Sequence, residues 1–370
     1  MLSADRFANA QRQLEICNAC RYCEGVCAVF PALERRTAFA QRDLTFLANL
    51  CHDCRTCLYV CPFAPPHKFG VNIPLLMAET RDATYRDYAW PRGANEALGR
   101  SRGGLVRVAL AALAAVVAIS LLVAGPAGLV TAETGPGAFY RFVPWWWMFA
   151  PAMLISLYGL AAVGVGVRRF WRDTAGVRPG IGAREILGAA WDAATLRYLD
   201  GGGPGCDYPD EAPSRSRAWL HHLVFWGFVA AFASTTSAFI AQEILGIQPP
   251  YPYLSVPVVL GTVGGVTMVA GGAGLLVLKR RADPEPAAPR ALEFDRLFLF
   301  VLLALNATGL VLLAFRETPL MGLLLDAHLA LVFAFLITAP YGKLVHAAYR
   351  YAALVQDRLE ARAEAVTLEL

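Results

Sequence analysis

Charge is scarce in this chain. Of 370 residues only 17% are Asp, Glu, Lys or Arg while 56% are hydrophobic, and the mean hydropathy is +0.44. That balance excludes a disordered chain and is too apolar for an ordinary soluble enzyme, so it argues for a membrane protein. Cysteine is almost missing from the body, where only Cys206 occurs; the other eight of nine lie within the first 61 residues. The opening MLSADRFANAQRQLEI lacks the apolar stretch of a secretory signal. The cysteine head is therefore expected in the reducing cytosol, where metal explains eight cysteines better than a disulfide framework does. No glycine-rich nucleotide fingerprint follows a strand, so no recognised device holds a flavin or nicotinamide. No Ser/His/Asp or Cys/His nucleophile arrangement stands out, and Cys206 reads as a lone inert thiol.

What is present in quantity is apolar sequence of spanning length. Six runs qualify: Leu105 to Ala124, Trp145 to Val167, Ala218 to Gln242, Val256 to Leu278, Leu297 to Phe315 and Leu320 to Tyr341. The connections 168 to 217 and 279 to 296 carry thirteen Lys and Arg and the residues after Tyr341 four, whereas 125 to 144, 243 to 255 and 316 to 319 carry only Arg141 and Arg316. The positive-inside bias puts both termini in the cytoplasm. The expected fold is all-α: a soluble domain over 1 to 100, a six-span domain over 101 to 350 with an inner loop at 168 to 217, and a cytoplasmic tail over 351 to 370. WPRGANEALGRSRGG, residues 90 to 104, reads as the linker into the first span. In the inner loop Leu187, Trp191, Ala194 and Tyr198 mark one face of an amphipathic helix, closed by GGGPG at 201 to 205. Such a helix packs along the membrane surface or against the cysteine domain. Gly261 and Gly265 in the fourth span are spaced for close helix approach.

The cysteine runs are CNACRYCEGVC and CHDCRTCLYVCP, each of the form C-x2-C-x2-C-x3-C. Three thiolates two residues apart wrap one cubane within a tight turn, and the fourth reaches the other cluster. On that pairing Cys17, Cys20, Cys23 and Cys61 hold one 4Fe-4S cluster, and Cys51, Cys54, Cys57 and Cys27 hold the second. Structural zinc is the competing reading, but it favours C-x2-C pairs separated by a longer loop. His52 and His67 lie in and beside the second run, as replacement ligands or, more simply, as neighbouring side chains. The 23 residues between the runs read as helical. With them the head resembles the α-helical ferredoxin domain of fumarate reductase, glycerol-3-phosphate dehydrogenase and heterodisulfide reductase iron–sulfur subunits. Two clusters held close together imply transfer of single electrons between a donor and an acceptor.

Four of the six histidines lie in or beside the spans: His221 and His222 at the inner start of the third, His328 and His346 on the sixth. Ionisable groups there are costly and usually functional. On a continuous helix, 18 residues between His328 and His346 are five turns, about 27 Å on one face. That puts His346 at the depth of His221 and His222, and two imidazoles from different helices suit a b-type haem. His221 and His222 differ by about 100° around the helix, so only one faces the iron; His222 is preferred because it lies deeper. The 18-residue spacing resembles the haem-bearing helix of the nitrate reductase gamma subunit. The third span, however, offers no histidine to pair with His328, so one haem is expected. Asp326 and His328 then serve a quinone or proton path, or only a helix-packing hydrogen bond.

The paired-cluster head, six spans, LRYLDGGGPGCDYPDE and SRSRAWLHHLVFWGF together resemble the tricarballylate-utilisation B and citrate-utilisation B proteins over essentially the whole chain. The resemblance implies a protein of a bacterial cytoplasmic membrane that reoxidises a soluble FAD-dependent dehydrogenase on the cytoplasmic face and passes electrons through the clusters and haem to quinone, with no nucleic acid involved. The same module occurs fused to a flavoprotein, so the substrate stays open. Competing readings are a heterodisulfide-reductase-like respiratory subunit and a non-catalytic membrane redox sensor. Transport ranks last, because the spans offer only Arg107 and Asp326 as charged groups.

Overall fold

The computed structural model describes residues 3–99, 101–176 and 180–369. Five helices build the head: α1 (Ala4–Cys20), α2 (Val29–Glu34), α3 (Gln41–Leu50), α4 (Thr56–Tyr59) and α5 (Ile73–Asp87). Their starts are set locally. The Asp43 carboxylate accepts the Ala40 N–H at the head of α3 (2.9 Å), and Asn72 Oδ1 accepts the Leu75 N–H at the head of α5 (3.1 Å). Leu44, Leu47 and Leu50 recur on one face of α3 and are fully buried.

The membrane part holds α6 (Arg102–Gly128), α7 (Trp145–Thr174), α9 (Ser216–Glu243), α10 (Val256–Arg281), α11 (Pro289–Phe315) and α12 (Met321–Thr338), with α8 (Ala183–Ala194) in the inner loop and α13 (Val345–Glu369) at the end. Among the described residues six helices are long and apolar enough to cross a bilayer, and large apolar side chains such as Leu122, Trp146 and Leu160 face outward. This is a multi-pass membrane protein, all-α apart from a two-residue hairpin, β1 (Cys206–Asp207) with β2 (Pro213–Ser214). The helices outrun the apolar runs by up to two turns, because the flanking polar residues continue the same backbone hydrogen bonding. Glycine lets α9 and α10 touch. A Cβ at Gly264 would meet the Gly227 carbonyl at 2.7 Å, and one at Gly271 the Leu220 carbonyl at 2.7 Å. The expected pair divides instead, Gly261 facing Ser234 on α9 and Gly265 facing Leu310 on α11.

One element differs from its sequence reading. The sixth span does not run on to His346. Pro340 has no N–H to continue the ladder of α12, a 3-10 turn follows at Ala339–Tyr341, and Gly342 is extended, so α13 is a separate helix. The 18-residue spacing therefore does not measure turns of one helix. The tail expected from residue 351 is, through Glu369, part of helix α13, which docks on the head. Tyr349, Ala353, Leu354 and Leu359 of α13 sit in one core with Leu14, Leu44 and Met77 of the head and Phe170 of α7. Arg36 grips Glu360 through two 3.0 Å bonds, and Gln356 and Thr174 exchange hydrogen bonds of 2.8 and 3.0 Å. The other face of α13 meets α8, where Arg358 and Arg362 pair with the buried acids Asp192 and Glu185. The apolar stripe of α8 is consequently turned outward, with Leu187 and Trp191 exposed.

Candidate redox site

Tight turns bring each cysteine run together. Arg21, Asp53 and Arg55 all have left-handed backbones beside a cysteine, which reverses the chain within the two-residue spacers. The thiols fall into two overlapping neighbourhoods. Cys17 has Cys23, Cys61 and Cys20 about it; Cys57 has Cys54, Cys27, Cys51 and, with the smallest effect, Cys23, which also feels Cys54. Burial, then these neighbours, push the Cys17 thiol up to about 12, and Cys23 likewise. Burial raises Cys27, Cys51 and Cys57 as well. Bare thiolates are thus disfavoured in both neighbourhoods, and a bound cation would relieve them. Cys51 Sγ accepts the Asp53 N–H at 3.4 Å, and Cys27 accepts from Val29 and Phe30 at the start of α2. Such N–H donors stabilise a metal-bound thiolate.

A small cleft opens among Cys17, Cys20, Cys23, Cys57 and Cys61, with Ile73 also lining it. Among the described residues no three His, Cys, Asp or Glu side chains converge closely enough to share one metal ion.

The second run lies among buried cations. Arg81 of α5 donates to the Cys51 and Ala48 carbonyls, and Arg350 of α13 reaches Cys51 O at 2.8 Å. Arg217 of α9 donates to His52 O at 3.2 Å and also to Asp53 O. His52 is itself buried, its Nδ1 on Leu50 O at 2.8 Å and its ring 5.6 Å from Tyr198. Burial and the nearby Arg350 hold its pKa well below the usual imidazole value. His67 instead accepts the Phe69 N–H at 3.1 Å and lies against the rings of Phe63 and Phe69.

The same helices present a histidine pair. Arg217 and His221 stand one turn apart on α9, as His346 and Arg350 do on α13. The His221 and His346 ring centroids are 6.3 Å apart at 77°. Metal–imidazole bonds of about 2 Å on either side of an iron place two centroids about 6 Å apart, so the spacing fits a bis-histidine haem. His346 Nδ1 lies 2.7 Å from Lys343 O; donating there, it leaves Nε2 as the ligand nitrogen, the usual arrangement for a metal-bound histidine. His221 Nδ1 is buried without a hydrogen-bond partner. It is His221, not the deeper His222, that meets His346; His222 lies beside Trp219, rotated away by the turn angle of one residue.

Asp326 and His328 do not share a site. Ser120 of α6 donates to Asp326 Oδ1 at 2.6 Å while Oδ2 is buried and unpaired, and His328 Nδ1 lies 3.1 Å from Thr308 Oγ1 of α11 with its ring against Gly309. Two residues apart on a helix, they point to different neighbours.

The family model of citrate utilization protein B matches residues 99–367, and that of the citrate utilization protein B Fer4-like domain matches residues 10–88. Citrate utilization protein B of Escherichia coli is 43% identical over 359 residues, 96% of this chain and 93% of that protein. This chain belongs to the citrate utilization protein B family. No solved structure matches it. The Fer4-like match takes in all eight clustered cysteines, so the head is of the iron–sulfur type, and the membrane match begins just before α6. Sequence reasoning passed over Arg81, Arg217 and Arg350 and read Cys206 as inert. One signal for two of them lay in the chain: Arg-x3-His at 217 to 221 is mirrored by His-x3-Arg at 346 to 350.

Proposed function

We propose that the protein is an electron bridge. It reoxidises a soluble FAD-dependent dehydrogenase of the citrate or tricarballylate utilisation type and delivers the electrons to quinone in a bacterial cytoplasmic membrane, with both termini in the cytoplasm. Cys17, Cys20, Cys23 and Cys61 hold one 4Fe-4S cluster, Cys51, Cys54, Cys57 and Cys27 the other, and His221 with His346 holds one b-type haem. Bound there, these groups supply one-electron carriers between a two-electron flavin and a quinone.

The observation that carries this reading is the paired use of α9 and α13. Each helix gives a histidine to the haem pair and, one turn away, an arginine to the backbone of the second cysteine run. The run and the pair are thereby fixed to one another. Cys20 is exposed beside the exposed ring of Tyr22, which supports entry from the partner at the first run and exit from the second. The thirteen basic residues of the two inner connections support a cytoplasmic placement of the head.

For quinone, a shallow apolar cleft lies between α6, α11 and α12, with Leu105, Phe298, Phe335 and Lys343 on its walls. Lys343 supplies the carbonyl that His346 bonds, so the cleft adjoins the haem pair. Asp326 and His328 are left as stations of a proton path. The test is visible and paramagnetic spectroscopy of anaerobically purified protein with iron and haem counts. About eight cluster irons and one b haem, reduced by the flavoprotein and reoxidised by a soluble quinone, is the expected result. Zinc in place of iron, or clusters that a reduced flavoprotein leaves oxidised, ends this account.

A further inference from the structure

The ninth cysteine is not isolated. Cys206 opens β1 at the end of the GGGPG loop and is fully buried against Cys54, Leu199 and Tyr208. The loop is wound tightly to put it there. Gly201, Gly202, Gly203 and Gly205 all have positive φ, and a Cβ on Gly202 would stand 3.4 Å from Val26 Cα in the turn of the first run. β2 closes the hairpin by pairing Ser214 with Cys206. Arg55 and Arg217 both lie over the Tyr208 ring, at 4.5 and 4.8 Å. The loop is thus clamped over the turn that carries Cys54. Within it, Cys206 packs in one buried cluster with Cys54, and Cys206 Sγ lies 3.2 Å from the Leu199 carbonyl.

We propose that Cys206 is a positioning residue for the inner cluster, donating its S–H to the Cys54 sulfur and thereby raising that cluster's reduction potential above that of the outer one. The inference rests on the cluster assignment above. Cys206 has one proton and two acceptors. A metal-bound Cys54 thiolate is the charged one, and hydrogen bonds to ionised acceptors are the stronger. Reduction adds negative charge to the cluster sulfurs, so a donor there favours the reduced state. An inner cluster with the higher potential draws electrons from the first run towards the histidine pair.

The experiment is a redox titration of the full-length, anaerobically purified protein followed by paramagnetic resonance, with wild type, C206A and C206S. In C206A the iron content holds and one of two cluster signals falls in potential, its reduced-to-oxidised ratio dropping about tenfold at fixed potential, which is 59 mV for one electron. The other signal stays in place, and C206S, which keeps a hydroxyl donor, recovers most of the shift. Unmoved potentials in both variants overturn the proposal, because the proton then belongs to Leu199. Loss of cluster iron in both variants overturns it too, because Cys206 is then a ligand. Equal movement of both signals would report general loosening and overturns it likewise. Absence of clusters from the wild type would strike the functional reading first and this inference with it.

Discussion

In the run from Cys17 to Cys27, Cys20 is exposed and the adjacent Arg21 turns its guanidinium back to Asn18 at the surface. In the run from Cys51 to Cys61, Arg81, Arg217 and Arg350 arrive from α5, α9 and α13 to hold the carbonyls of Cys51, His52 and Asp53. The two runs have the same spacing and differ in what surrounds them. Spacing determines which thiols share a cluster, whereas the surroundings determine potential and direction. The first run meets α13 only downstream, where Arg35 and Arg36 pair with Asp357 and Glu360; the second meets it directly through Arg350.

The largest expected effect breaks the symmetry of the runs. C20S and C57S should each lose about half the cluster iron, but only C57S should stop a small reductant that enters at either run from reducing the haem through the remaining cluster. Iron counts and the rate of the haem absorbance change measure this, and equal blocks in both variants would cancel the assigned direction. Next, H346A and H221A should abolish the haem spectrum while H222A leaves it intact. A spectrum lost only with H222A would restore the deeper histidine as the ligand.

The tie of the first run to α13 is tested by E360A. It takes from Arg36, whose side chain is 11% exposed, one of its two carboxylate partners, Asp43 staying at 2.9 Å, and losing such a charge-assisted hydrogen bond costs about 2 kcal/mol. The melting temperature of the detergent-solubilised protein reads the loss. A change near zero would show that α13 is held by its apolar contacts alone.

How far the sequence carries depends on which interactions decide each feature. The spans are legible because length and apolarity are local properties, and each span lies within the boundaries of a helix found, apart from the last turn of the sixth. The end of that span is misjudged, since apolar Ala339 and Tyr341 hide what Pro340 and Gly342 do to the backbone. The role of α13 is not legible, because Tyr349, Leu354 and Leu359 gain meaning only against Leu44 and Met77, some three hundred residues earlier in the chain. Trp191 and Leu187 mark a helix correctly but not its orientation, which the buried acids on the opposite face decide by pairing with Arg358 and Arg362. Cys206 looks inert for the same reason: its partner Cys54 is near only in the folded chain.

The finest version of the comparison uses the two histidines in and beside the second run, one buried and one nearer the surface. His52 is 6% exposed, donates to Leu50 O and packs on Tyr198. His67 lies on the surface side, accepting one N–H from Phe69. H52A should lower stability by about 2 kcal/mol, since it leaves a buried carbonyl unpaired and opens space beside Cys51. H67A should change it by about 0.5 kcal/mol or less, as substitutions away from buried contacts do. Both should keep the full iron content, because neither imidazole is needed as a ligand where four thiols are already grouped. Loss of iron in H67A alone would be the informative failure: it would mean that the first run's neighbourhood is completed by an imidazole in place of one of its four sulfurs, and that the two clusters differ in ligand chemistry as well as in surroundings.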